Sequence, residues 1–280
     1  MKLPYSINVN GRLLSMERPL VMGVVNVTPD SFFASSRTDG EEMLLQRCAS
    51  MIEEGADIID VGGCSTRPTG ELVSPGEELE RVSRAFSLLR GRFPDAVFSV
   101  DTFRAEVARV CVSEYAVDII NDVSGFDWDE AMLDTVAELN VPYVLTHTKG
   151  VAGDEPVYGD FIPDVFKQLA DKVWQLRQRG VKDIIIDPGF GFGKSLQQNY
   201  HLMSHLEEFA MFDAPLLVGV SRKSMITRLL GITPDEALNG TTVLNTAALM
   251  KGASILRVHD VRAAREAVEI VAMLNSNLYI

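Results

Sequence analysis

The chain has 280 residues, 46% hydrophobic and 23% charged, the balance of a globular protein with a substantial core. Its formal net charge of −13 argues against a nucleic-acid partner, because neutralising phosphates takes a basic surface. Cys48, Cys64 and Cys111 include no Cys-x-x-Cys pair, residues 1–10 lack a signal-peptide pattern, and no apolar run approaches the roughly 20 residues of a spanning helix, so a reducing, cytoplasmic setting without a membrane partner is expected.

Residues 1–18 form an N-terminal segment, with Tyr5–Arg18 expected to fold as a hairpin closing the bottom of a barrel. From there short β-branched runs alternate with amphipathic stretches. Strand Leu20–Asn26 is followed by helix Glu41–Glu54, Asp57–Gly62 by Gly76–Arg90, and Val97–Asp101 by Arg104–Ser113. Next come Asp118–Asp122 with Glu130–Leu139, Pro142–His147 with Val165–Arg179, and Asp183–Asp187 with Leu196–Phe209. Pro215–Ser221 with Asp235–Met250 and Ser254–His259 with Val261–Leu274 complete the series. Runs such as Ile184-Ile185-Ile186 are continuous rather than alternating, as in parallel strands covered on both faces. Gly55, Gly91, Gly180 and Gly252 stand where helices should stop. Eight such repeats without a composition break predict an α/β fold, an eight-stranded parallel (β/α) barrel (TIM barrel) in a single domain over residues 1–280; a doubly wound open sheet is the alternative.

The strands finish in polar residues: Asn26, Asp60, Asp101, Asn121–Asp122, His147, Asp187, Ser221-Arg222-Lys223 and Arg257-Val258-His259. Any one could cap the following helix. In a barrel, all of them would converge on the mouth where the site is built, which predicts an enzyme. Asp101, Asn121, Asp187 and Lys223 offer acceptors and donors suited to a flat, nitrogen-rich heterocycle. Arg67, Arg257 and His259 suit phosphate oxygens, so the expected substrate is an anion with a heteroaromatic head.

Several motifs carry a chemical reading and a bland one. Pro188-Gly189-Phe190-Gly191-Phe192-Gly193-Lys194-Ser195 nearly matches a nucleotide-binding loop, but Pro188 replaces its first glycine and removes an N–H from the cradle. A glycine loop that lets Asp187 and the backbone approach a ring is the better reading. His201 and His205 have the spacing of metal ligands without the intervening glutamate of a zinc protease, which favours packing. Cys64 has no base evident nearby in the sequence, so a nucleophilic role is not favoured over an incidental substitution. Ser221-Arg222-Lys223-Ser224 opens a short helix, Met225–Leu230, whose amino end suits a carboxylate; a basic surface turn is the alternative.

Five segments together resemble the bacterial dihydropteroate synthases along nearly the whole chain: Asn26-Val27-Thr28-Pro29-Asp30-Ser31-Phe32, Ser65-Thr66-Arg67-Pro68, Asp187 through Lys194, Ser221 through Ser224, and Arg257-Val258-His259-Asp260. The resemblance implies a transferase of folate synthesis that joins p-aminobenzoate to 6-hydroxymethyl-7,8-dihydropterin diphosphate, giving 7,8-dihydropteroate and diphosphate. It implies a pterin held by Asp101, Asn121, Asp187 and Lys223, a diphosphate facing Asn26, Thr66, Arg67, Arg257 and His259, and Mg2+ served by Asn26. Thr66, Arg67, Pro68, Phe192 and Ser224 would surround p-aminobenzoate, and Asp101, Asp187, Lys223 and Arg67 would carry catalysis. It further implies a cytoplasmic homodimer and sensitivity to sulfonamides, which mimic p-aminobenzoate.

Three loops depart from the usual pattern. Cys64 replaces a glutamate in Gly-Gly-Glu-Ser-Thr-Arg-Pro, Phe33-Ala34-Ser35-Ser36 replaces Ser-Asp-Gly-Gly, and Thr146-His147-Thr148-Lys149-Gly150 replaces Met-His-Met-Gln-Gly. Thr148 is therefore expected where a methionine often packs beside the pterin. Two other readings remain in the same fold: a folate-dependent corrinoid methyltransferase domain, which has no use for a diphosphate pocket, and a non-catalytic pterin-binding paralogue.

Overall fold

The computed structural model describes residues 5–27, 37–64, 73–149 and 158–275. The chain opens with an antiparallel hairpin, β1 (Ser6–Val9) and β2 (Arg12–Ser15). Its two-residue turn is Asn10-Gly11, both at positive φ (50° and 82°), the backbone that matches the natural twist of paired strands. The alternation then follows as expected: β3 (Leu20–Asn26), α1 (Arg37–Glu53), β4 (Ile58–Gly62), α2 (Pro75–Arg92), β5 (Val97–Asp101), α3 (Ala105–Tyr115), β6 (Ile119–Asp122), α4 (Met132–Leu139), β7 (Tyr143–Thr146), α5 (Phe161–Gln178) and β8 (Ile184–Asp187). After these come α6 (Leu196–Ser204), β9 (Leu217–Val218), α7 (Ser224–Leu230), α8 (Leu238–Met250), β10 (Ile255–Val258) and α9 (Val261–Asn275).

The strands pair in parallel in the order β8-β7-β6-β5-β4-β3-β10-β9. A parallel bridge between Ile186 and Leu216, with the Ile186 N–H donating to Pro215 C=O at 2.9 Å, joins β8 to the segment leading into β9. That contact closes the sheet into a barrel and removes the open doubly wound alternative.

Three expected elements are shorter or split. The stretch Leu196–Phe209 breaks at His205 into α6 and a 3-10 turn, Leu206–Phe212. The strand Pro215–Ser221 has ladder pairing only at Leu217–Val218, since Pro215 has no N–H to donate and Gly219 no side chain to pack. Helix α8 starts at Leu238, after the Thr233–Glu236 capping box has closed a separate turn over Pro234–Glu236. Gly55, Gly180 and Gly252 take positive φ at helix ends, whereas Gly91 lies inside α2.

Period-two alternation divides each strand between two cores. Inward residues such as Met22, Ile58, Ile119, Val144, Ile185 and Leu217 fill the lower barrel, and Ile7, Val9 and Met16 of the hairpin segment close it from below. Outward residues such as Val21, Phe98, Tyr143, Leu145 and Ile186 pack under the helices. Burying each of these side chains contributes about 1.5–3 kcal/mol, so the register is firmly set. Acidic residues just before the strands pin the bottom. Asp57 accepts from Val21 N–H (2.8 Å) and pairs with Arg265. Asp118 accepts from Phe98 N–H (2.9 Å), Asn10 Nδ2 (2.7 Å) and Arg90 (3.1 Å), tying the hairpin to the barrel. Among the described residues no helix is long and apolar enough to cross a membrane.

Candidate active site

Above the apolar layer, the same alternation points polar side chains inward. Counting every second residue from Met22, Ile58, Val97, Ile119, Val144, Ile185 and Ile255 reaches Asn26, Asp60, Asp101, Asn121, Thr146, Asp187 and Arg257. Four of these form one network. Arg257 donates from Nε to Asp60 Oδ2 (2.7 Å) and from Nη2 to Asp101, its Nη2 also forming an ion pair with Asp60 at 2.6 Å, while Asn121 Nδ2 donates to Asp60 Oδ2 at 3.0 Å. Arg257 Nη1 makes no hydrogen bond among the described residues. Burial pushes the Asp101 carboxyl up, to about 7, with the Arg257 charge opposing the rise. For Arg257 burial disfavours charge, but Asp60 and Asp101 outweigh it and hold the guanidinium protonated.

Asp187 and Lys223 face the same mouth. Burial raises the Asp187 carboxyl and lowers the Lys223 ammonium to about 8, while each stabilises the other's charged form. Asp187 Oδ1 accepts the Gly189 N–H at 2.8 Å. Lys223 donates to the Phe190 carbonyl, and its Nζ stands 4.2 Å from the centre of the Phe192 ring, a cation–π contact. The glycine loop makes this approach feasible. Gly189 has φ of 72°, and a Cβ there would fall 2.0 Å from the His147 carbonyl oxygen, so no other residue fits. The loop is stapled by Lys194, whose Nζ donates to the carbonyls of His147 (3.0 Å), Gly189 (2.8 Å) and Phe192 (3.0 Å). The lysine of the near-match to a nucleotide loop is thus turned into the protein, which removes the nucleotide reading.

His259 is placed at the end of β10 by Ser221, whose Oγ lies 3.0 Å from Nδ1 and accepts the His259 backbone N–H at 3.2 Å. Ser224 is exposed in the first turn of α7, and Phe192 is half-buried. Asn26 is half-buried at the end of β3. Thr66, Arg67 and Pro68 lie outside the described residues, as do Thr28–Ser36 and Gly150.

Other strand-end residues serve the fold. Asp122, next to Asn121, points outward and accepts from Ser124 N–H and Oγ, Phe126 N–H and Tyr143 Oη. His147 also follows an inward residue and is buried beside Tyr158. Arg222 takes positive φ (57°) and turns its guanidinium to Asp260 at 2.9 and 2.7 Å. Thr148 is buried just past the end of β7, its hydroxyl donating to the Val123 carbonyl, and the inward position that ends β7 belongs to Thr146. Cys64 is packed with Phe103 and Val123, and burial raises its thiol, which disfavours a nucleophile. His201 and His205 stack edge to face, 4.4 Å apart. Asp60, the hub of the network, was expected among the residues at the mouth but given no part of its own; its inward register with respect to Ile58 is the signal that places it there.

The chain matches the family model for pterin binding enzymes over residues 22–259. It is 40% identical over 266 residues to the dihydropteroate synthase of Escherichia coli K12, spanning 93% of each chain. Among solved structures it is similar to the Xanthomonas albilineans dihydropteroate synthase with 4-aminobenzoic acid, with a TM-score of 0.90 and 38% identity over 97% of this chain and 98% of that one. It is likewise similar to the Yersinia pestis enzyme in a sulfonamide drug complex, with a TM-score of 0.89 and 37% identity over 97% and 99%.

Proposed function

The chain belongs to the dihydropteroate synthase family of pterin-binding enzymes, and we infer from that membership and from the geometry of the barrel mouth that it condenses p-aminobenzoate with 6-hydroxymethyl-7,8-dihydropterin diphosphate. The observation that carries this reading is the buried ring of Asp60, Asp101, Asn121 and Arg257 beside the Asp187–Lys223 pair. A deep, mixed-charge lining of this kind is costly in a barrel core unless a polar ligand completes it.

Asp101, Asn121, Asp187 and Lys223 hold the pterin: the carboxylates accept from its amino and ring N–H groups, and Lys223 donates. Arg257 and His259 face the diphosphate together with Asn26, Thr66 and Arg67. The Nη1 side of Arg257 is the edge left for phosphate oxygens. Thr66, Arg67, Pro68, Phe192 and Ser224 surround p-aminobenzoate, the Ser224 hydroxyl meeting its carboxylate. Sulfonamides would compete for that place.

The pterin methylene loses diphosphate by C–O cleavage, leaving a resonance-stabilised cation. The amine of p-aminobenzoate attacks it, forming the C–N bond and giving up a proton. Asp101 and Asp187 stabilise the cation electrostatically, Lys223 orients the ring, and Arg67 and Arg257 offset the charge developing on diphosphate. No enzyme nucleophile enters. Mg2+ fits the Asn26 side: that amide oxygen is a hard ligand at the rim, and magnesium keeps most of its shell from water and substrate phosphates. When bound it would neutralise the leaving diphosphate.

On the same reading the chain is one cytoplasmic domain working as a homodimer. Exposed apolar residues on α7, α8 and α9, among them Leu230, Val243, Met250 and Ile270, favour a self-association face. The decisive assay is diphosphate release from dihydropterin diphosphate. Release that depends on p-aminobenzoate is expected. Pterin binding without release would leave a non-catalytic paralogue instead.

A further inference from the structure

We propose that Thr146 is a further pterin-binding residue, its hydroxyl making a direct hydrogen bond to the polar edge of the heteroaromatic ring. The proposal rests on the site reading above and extends it to a residue that the strand-end pattern leaves without a role.

Thr146 is the last residue of β7, pairs in register with Asp187 on β8, and follows the inward Val144 by two positions. Its side chain therefore projects into the barrel at the level of the Asp187 carboxylate. It is fully buried, yet among the described residues its Oγ1 has no hydrogen-bond partner. A hydroxyl shut away from water and left unpaired is costly, and most such groups in folded proteins find a partner. The two other orphaned oxygens of the barrel interior lie lower, at Ser99 Oγ and Asp60 Oδ1, which are register neighbours of each other. Thr146 alone of the three ends its strand, where a ring seated between Asp187 and Asn121 would reach it. Asp187 has one oxygen occupied by Gly189 N–H, so the adjoining hydroxyl widens the hydrogen-bonding edge offered to the substrate. Because Oγ can both donate and accept, it suits a ring edge carrying either a bare nitrogen or an N–H.

The test uses the whole chain and 6-hydroxymethylpterin as the probe, with affinity read by calorimetry and stability by thermal melting. Thr146→Val keeps the shape and removes the hydroxyl; Thr146→Ser keeps the hydroxyl and removes a methyl group. The expected result is pterin affinity about tenfold weaker for Val and within about threefold of wild type for Ser, the scale of one hydrogen bond. The melting temperature of the unliganded Val variant should equal or exceed that of wild type, since an unpaired polar atom has been removed. Val affinity equal to wild type would overturn the proposal. So would a Val variant that melts lower or fails to fold, because the hydroxyl would then be serving the structure. If wild type itself bound no pterin, the site reading would fall and the proposal with it, a result separable from the others by that first measurement.

Discussion

The two ends of the barrel use the same residue types for opposite purposes. At the bottom, Asp57 and Asp118 are met by backbone N–H groups and arginines of the protein itself, and Asp118 alone collects Phe98, Asn10 and Arg90. Toward the mouth, Asp60 gathers Asn121 and Arg257 on one oxygen, and among the described residues its other oxygen and the hydroxyls of Ser99 and Thr146 have no partner. Asp118 is as buried as Asp60, Ser99 and Thr146, so for that residue the contrast does not come from exposure. A carboxylate satisfied within the chain holds a fold together; one left short in a closed cavity is waiting for a ligand.

The sharpest break of this contrast is Asp187→Asn. It leaves the ring acceptor geometry nearly intact but removes the charge facing the cationic transition state. Turnover should fall by about 10²- to 10³-fold, with diphosphate affinity within a few-fold of wild type. Equal losses in both would count against that electrostatic role. Its counterpart at the bottom is Asp118→Ala. Removing the partner of Arg90 and of the Phe98 N–H should cost about 3 kcal/mol in chemical denaturation. The folded fraction should keep wild-type kcat and KM. A loss of kcat at that distance would mean that the two ends are not separable.

The bottom was legible in the sequence in outline only, and the mouth in much of its detail, for a physical reason. Eight apolar runs ending in polar residues encode both the barrel and the side on which chemistry occurs, because burial on two faces leaves a strand few other places for Asp101 or Arg257. Alternation was the information that strand-end reading did not use. It separates Asn121 from Asp122 and Thr146 from His147, and the outward Asp122 is bonded to the protein. The turn of Arg222 toward Asp260 was not legible, since positive φ at a non-glycine residue leaves no mark on composition. Nor was the Lys194 staple, which depends on three carbonyls brought together only by the fold.

The finest test of the contrast is pH, because burial has moved the mouth's groups toward neutrality from opposite sides. Asp101 is raised to about 7, so its ionised, accepting form is lost as pH falls through that value. Lys223 is lowered to about 8, so its donating ammonium is lost as pH rises through that value. If both charges are needed to engage the dihydropterin, kcat/KM for dihydropterin diphosphate should form a narrow bell with limbs near these two values, each falling about tenfold per pH unit. Lys223→Arg keeps its charge at any accessible pH. That variant should lose the alkaline limb while keeping the acid one, at a lower plateau because the guanidinium cannot reproduce the ammonium's seat over Phe192. An alkaline limb that persists unchanged in Lys223→Arg would assign it to another group and remove Lys223 from the titrating pair.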